Sequence, residues 1–209
     1  FTMLPPASKI NALWRGTMPH TCRALIAAVG LSLIGAGAAA AQSAQLFSVQ
    51  ISGLAGAIAF RDTVQFGAGA EAQLRLNRVV TSGGGVLSVG AGAQYTHHLF
   101  AAGQSFDVAG VFVEPRYAFA LSSERFFPYL SARFAALRQS SNVVHSSFGY
   151  AAGLGAGIGY ALGRNVNLDI GAAALVQQFG HTTIVASGQP YTFATMPSYA
   201  IKIGLSLGL

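Results

Sequence analysis

Three sets of residues in this chain have the types and spacing to do chemistry. The first is His145-Ser146-Ser147, an imidazole beside two hydroxyls. A hydrolytic site of that kind needs a nucleophile, a base and usually a carboxylate orienting the base. The only downstream carboxylate is Asp169, which the strand pattern places near the opposite end of the molecule. Asp62 and Asp107 belong to the His145 end, but on separate segments, so Ser146 and Ser147 read as loop polar residues and no catalytic residue is expected. The second set is the four histidines beyond residue 41: His97, His98, His145 and His181. They map to one end, across three loops, as a possible extracellular rim. Converging imidazoles can take zinc or copper, or sense acid. Exposed loop histidines without supporting partners are the commoner case, so no metal and no cofactor are expected.

The third set is charged: Glu71, Arg75, Glu114, Arg116, Arg133, Asp169 and Lys202. Each alternates with mostly apolar neighbours. On one segment Glu71, Gln73 and Arg75 oppose Phe66, Ala68, Ala70, Ala72, Leu74 and Leu76; on another Glu114 and Arg116 oppose Val111, Val113, Tyr117 and Phe119. A period of two puts such sets on opposite faces of a strand. If the apolar face meets lipid, the charges face a lumen. Turned outward, each cation would cost about 2–4 kcal/mol at the bilayer midplane. Glu114 and Arg133 are equidistant from the Ser123–Glu124 junction, so a hairpin turning there sets them opposite each other.

The elements that position these residues are strands throughout. The clearest is SYAIKIGLSLGL (198–209), where Tyr199, Ile201, Ile203, Leu205, Leu207 and Leu209 alternate with small or polar residues and Lys202. FGYAAGLGAGIGYAL (148–162) contains GxxxG spacings, which suit paired membrane helices. Its bulky residues all fall on even positions, which a strand explains and a helix does not. The same alternation recurs in eight segments, near 46–55, 64–76, 85–97, 106–120, 127–138, 148–162, 166–179 and 197–209. A tilted membrane strand needs about 9–11 residues. The predicted connections alternate between short turns, after strands two, four and six, and generally longer loops near Ala57–Thr63, His98–Ser105, Gln139–Ser147 and Gly180–Tyr191. An eight-stranded barrel is barely wide enough for its own side chains. Gly149, Ala151, Gly153, Gly155, Gly157 and Gly159 would make room in it for long Arg, Glu and Gln side chains, giving a packed polar lumen. Aromatics at Phe66, Tyr95, Phe106, Phe148, Tyr150 and Tyr199, and at Tyr117, Phe119, Phe127, Tyr129 and Tyr160, suggest two interfacial belts.

Residues 24–41 are apolar apart from Ser32, follow Arg23 and end in Ala39-Ala40-Ala41. That is the layout of a cleavable signal peptide, although the run is also just long enough to span a bilayer. Met18 would open a signal peptide of ordinary length. The domain division is then 1–41, upstream residues plus signal, and 42–209, the barrel. Of the 12 Lys/Arg and 6 Asp/Glu, Lys9, Arg15 and Arg23 leave with the signal. The balance that remains is too mild to argue for nucleic acid. Cys22, the one cysteine, precedes the apolar run and is not a lipobox cysteine. The glycine strings at 83–85 and 153–157 lack the strand-loop-helix setting of a phosphate cradle.

With FFPYLSARFAAL (126–137), FGYAAGLGAGIGYALGRNVNLDIGAAAL (148–175) and the terminal SYAIKIGLSLGL, the chain resembles the small outer-membrane β-barrel superfamily of Gram-negative bacteria, the OmpA/OmpX-like group. Its last residue departs from that group's usual Phe, being Leu209. The resemblance implies an all-β, eight-stranded antiparallel up-and-down transmembrane barrel, exported to the outer membrane. It implies contact with lipid, lipopolysaccharide and the assembly machinery that reads the C-terminal strand. Function within the group varies. The leading expectation is a non-enzymatic, monomeric barrel with a structural or surface-interaction role; a narrow solute channel and a lipid A-modifying enzyme stand as alternatives.

Overall fold

In a computed structural model the alternation becomes a closed sheet. The structure describes residues 45–209 apart from 61–62, 83, 100–102 and 121–124; the signal-peptide assignment lies outside the described residues. Ten strands follow in order: β1 (Phe47–Phe60), β2 (Thr63–Ser82), β3 (Gly85–Leu99), β4 (Ser105–Phe119), β5 (Phe126–Ser141), β6 (Ser147–Ala161), β7 (Val166–Phe179), β8 (Thr182–Thr183), β9 (Pro190–Tyr191) and β10 (Met196–Gly208). Eight of them form one antiparallel barrel, each paired with its chain neighbour except that β10 follows β7 and returns to β1. The closing ladder runs from Ser48↔Gly208 to Ile58↔Ser198. Closure leaves the barrel without a free edge, so its strands can pair their backbone groups with one another rather than with water.

The two faces separate as period two demands. Phe66, Phe148 and Leu154 are 74%, 76% and 71% exposed, while Glu71, Glu114 and Asp169 are 2–3% exposed. Around the barrel the outer surface carries large apolar side chains, which only a lipid environment accommodates at this density. This is a transmembrane barrel.

Three features differ from the sequence reading. β1 continues to Phe60, so the connection near Ala57–Thr63 is two residues, not a longer loop. β2 runs to Ser82 through a register shift between Leu76 and Val80, a bulge that lets the β2–β3 hairpin extend past the barrel wall. The segment after β7 holds its own small hairpin, β8–β9, stitched to the β5–β6 connection by the Val144↔Ile184 bridge and by Val185 N–H donating to Val143 O at 2.9 Å. Short polar strands of two residues carry no periodic signal.

The aromatic belts also need correction. Phe106, Phe127 and Tyr129 share the parity of the lumen charges: Phe106 and Tyr129 are buried, and Phe127 lines the lumen's mouth at the short-turn end. The glycines of β6 and β7 serve these rings. A Cβ at Gly157 would overlap the Tyr129 hydroxyl, and one at Gly159 would overlap the Phe127 ring. The close approach of aromatic rings, rather than of long polar chains, is what makes glycine necessary there.

Candidate functional site

The lumen divides into two halves of different chemistry. The short-turn half and the middle hold an ionic network centred on Glu114, which β4 points inward. Four cations converge on its carboxylate. Arg75 Nη2 of β2 donates to Oε1 at 2.9 Å, Arg116 Nη2 to Oε1 at 3.1 Å and Lys202 Nζ of β10 to Oε1 at 3.1 Å. Arg133 of β5 donates to Oε2 through Nε at 3.0 Å and Nη2 at 2.5 Å. Glu114 and Arg133 face each other between the ladder pairs Val113↔Phe134 and Arg116↔Ser131.

Two further carboxylates complete the set. Asp169 of β7 accepts from Arg116 Nη1 at 2.5 Å and from the Tyr129 hydroxyl at 2.9 Å. Glu71 Oε2 lies 2.7 Å from Arg133 Nη1 and Oε1 lies 3.6 Å from Lys202 Nζ. Neither Glu71 oxygen makes a well-aligned hydrogen bond, so its role is that of a counter-charge. All seven charged residues expected in the lumen are therefore in one connected cluster. Of the neutral residues that extend it, Gln73 is expected on the same face as Glu71 and Arg75, and Gln50 and Ser88 join it through closure of the barrel. Gln73 donates to Gln50 Oε1 at 2.8 Å and accepts from Arg75 Nη2 at 3.1 Å, and Ser88 accepts from Arg75 Nη1 at 3.1 Å. Their parity with the charges is the signal that identifies them.

The long-loop half is dominated by apolar side chains, with Gln139, Gln177 and His98 as buried polar exceptions. Phe106, Val108, Phe112, Leu137, Phe179, Phe193 and Met196 form one buried cluster, with Phe106 edge-on to Phe179 at 5.9 Å and Phe179 against Phe193 at 5.7 Å. The expected polar lumen is thus only half right. Inward positions near the loop end carry aromatics because the β5–β6 and β7–β10 connections fold over and exclude water from them. The halves join at Arg133, whose guanidinium sits 4.0 Å from the Phe112 ring centroid, while Arg116 lies 3.7 Å from that of Tyr129. Cation–π contact keeps the charge favourable against an apolar wall.

The rim histidines do not converge. His97 faces outward, its Nδ1 2.6 Å from Asp107 Oδ1, and Asp107 also accepts from Tyr95 at 2.7 Å. His98 is buried, because adjacent strand residues face opposite sides. His181 Nδ1 is 2.8 Å from Thr192 Oγ1, and His145 is an exposed loop residue. Among the described residues no group of three or more His, Cys, Asp or Glu comes together. The hydroxyls beside His145 are bound elsewhere, Ser146 accepting from Arg138 and Ser147 from Gln139. Asp169 is engaged in the network at the other end.

No family model matches the sequence, and no curated protein does. Among solved structures the chain is similar to Neisserial surface protein A, at 20% identity and a TM-score of 0.56, over 78% of this chain and 97% of that one. It also matches Ail, the attachment invasion locus protein of Yersinia pestis, at 12% identity and 0.47, over 78% and 97%. A third match is the outer membrane enzyme PagL, at 18% identity and 0.47, over 77% and 99%. The fold is that of the small outer-membrane barrels.

Proposed function

We propose that this protein is a non-enzymatic, monomeric barrel of a Gram-negative outer membrane that passes no solute and works through its long-loop end, as a structural or surface-interaction protein. The observation that carries this reading is a lumen closed by side chains through its middle and its loop half. Glu114 and its four cations close the middle, and the Phe106–Phe179–Phe193 cluster closes the loop half. A cavity bordering Glu114, Tyr129 and Arg133 measures about 20 Å³, room for about one water. Outside, the apolar girdle meets lipid and lipopolysaccharide, and β10 offers the alternating terminal strand that assembly machinery reads. Antiparallel strands joined by short connections suit an orientation with the short-turn end in the periplasm and the β7–β10 segment outside.

Single-channel recording of the refolded protein in a planar bilayer tests it, beside its heat-modifiable gel shift. A folded, shifted band with no steady openings is expected. Ohmic openings would overturn the closed-lumen reading and make Glu114, Arg116 and Arg133 constriction residues of a narrow channel.

A further inference from the structure

Below the ionic network, at the short-turn end, the lumen opens into a vestibule of about 520 Å³. Four arginines line it: Arg75 and Arg116 in its inner wall, both buried, and Arg78 and Arg164 at its mouth, both exposed. Among the described residues Asp169 is the one acidic side chain that lines it, and its oxygens are already held by Arg116 and Tyr129. The neutral lining includes the amides Asn77 and Asn167.

The charge count in the network behind this vestibule does not close. Among the described residues its buried members are four cations, Arg75, Arg116, Arg133 and Lys202, against three carboxylates, Glu71, Glu114 and Asp169. An uncompensated charge in a medium of low dielectric is expensive. The surplus is felt where the network meets water, and the mouth arginines add to it there. Arg75 and Arg116 each also have a buried Nε–H with no acceptor among the described residues, which leaves the positive field at this end of the network less completely answered.

We propose that the vestibule is a binding site for a small oxyanion of the phosphate class, free or as a monoester. The walls supply guanidinium forks and amides, the donors that suit tetrahedral oxygens. A dianion would offset both the buried surplus and the mouth charges, which chloride does less well. Arg78 and Arg164 form the outer half of the site and Arg75 and Arg116 the inner half. The proposal rests on the vestibule itself and stands whether or not the loop end binds anything.

The test is a titration of inorganic phosphate into the refolded protein in detergent micelles at constant ionic strength, with chloride as the balancing anion. Binding is read from the arginine Nε–H resonances in ¹H–¹⁵N spectra. The expected result is a saturable shift of the Arg75 and Arg116 signals. Affinity should weaken about tenfold or more in R78Q/R164Q, the loss of roughly one charge-assisted contact, and should be unchanged in R138Q at the opposite rim. The mouth positions are exposed, so the double variant should keep its heat-modifiable gel shift, which reports folding. Titration with a phosphate monoester such as glycerol phosphate then distinguishes free phosphate from an esterified group by which binds tighter. Absence of saturation, an equal response to chloride alone, or an R78Q/R164Q affinity equal to the parent would overturn the proposal.

Discussion

Replacing Glu114 by glutamine is the sharpest probe of the ionic network. The substitution keeps shape and one acceptor but leaves Arg75, Arg116, Arg133 and Lys202 around a neutral amide, with Glu71 and Asp169 as the remaining buried carboxylates. Nitrogen–oxygen separations at Glu114 of 2.5–3.1 Å correspond to about 5–7 kcal/mol of attraction per pair at an effective dielectric near 20. Desolvation and repulsion among the cations cancel most of that sum. Removing one partner of a buried ion pair costs about 3–5 kcal/mol, and Glu114→Gln should fall in this range. With a urea dependence of about 2 kcal/mol per molar, the unfolding midpoint of the refolded barrel should drop by roughly 2 M. Lys202→Met on its own balances the three carboxylates with three cations and should cost far less. The pair Glu114→Gln/Lys202→Met restores the parent's surplus and should recover part of the loss. A Glu114→Gln midpoint within about 0.5 M of the parent, or a double variant no better than the single, would refute the view that net charge in the lumen sets stability.

Other substitutions test the remaining assignments. Gly157→Ala places a methyl group against the Tyr129 ring and 2.5 Å from the Ile170 carbonyl oxygen, so destabilisation of about 1–3 kcal/mol is expected from overpacking, measured by the same urea titration. Val113 faces outward next to the inward Glu114, and Val113→Arg should cost about 2–4 kcal/mol as a cation held in the lipid midplane; a stable variant would argue that this face is not in lipid. Zinc titration calorimetry should give no saturable heat, because His97 is bound to Asp107, His98 points into the lumen, and His181 is bound to Thr192. A stoichiometric isotherm would require the loops to rearrange around the metal.

Much of this architecture was legible in the residue order, because a strand's two-faced pattern is local. The alternation in 198–209 identifies β10 and its lipid face, and the parity of Glu71, Glu114, Arg133 and Asp169 places them inside. The symmetry of Glu114 and Arg133 about one turn anticipates their facing positions, since chain neighbours pair by hairpin. Parity, however, says only in or out. It does not say how deep a side chain lies or what shares that depth across the lumen. Closure decides that, by bringing Lys202 to Glu114 across 88 positions and Arg75 to Glu114 across 39. The same step gathers Phe106, Phe179 and Phe193 into an apolar plug and turns Phe127 and Tyr129 against strand glycines, although near the strand ends their sequence setting resembles an interfacial belt. Among the described residues it also leaves four buried cations with three carboxylates and sets them beside an open vestibule. In-or-out alternation is written residue by residue, whereas charge balance and packing are sums over strands distant in the chain, which only the closed barrel brings together.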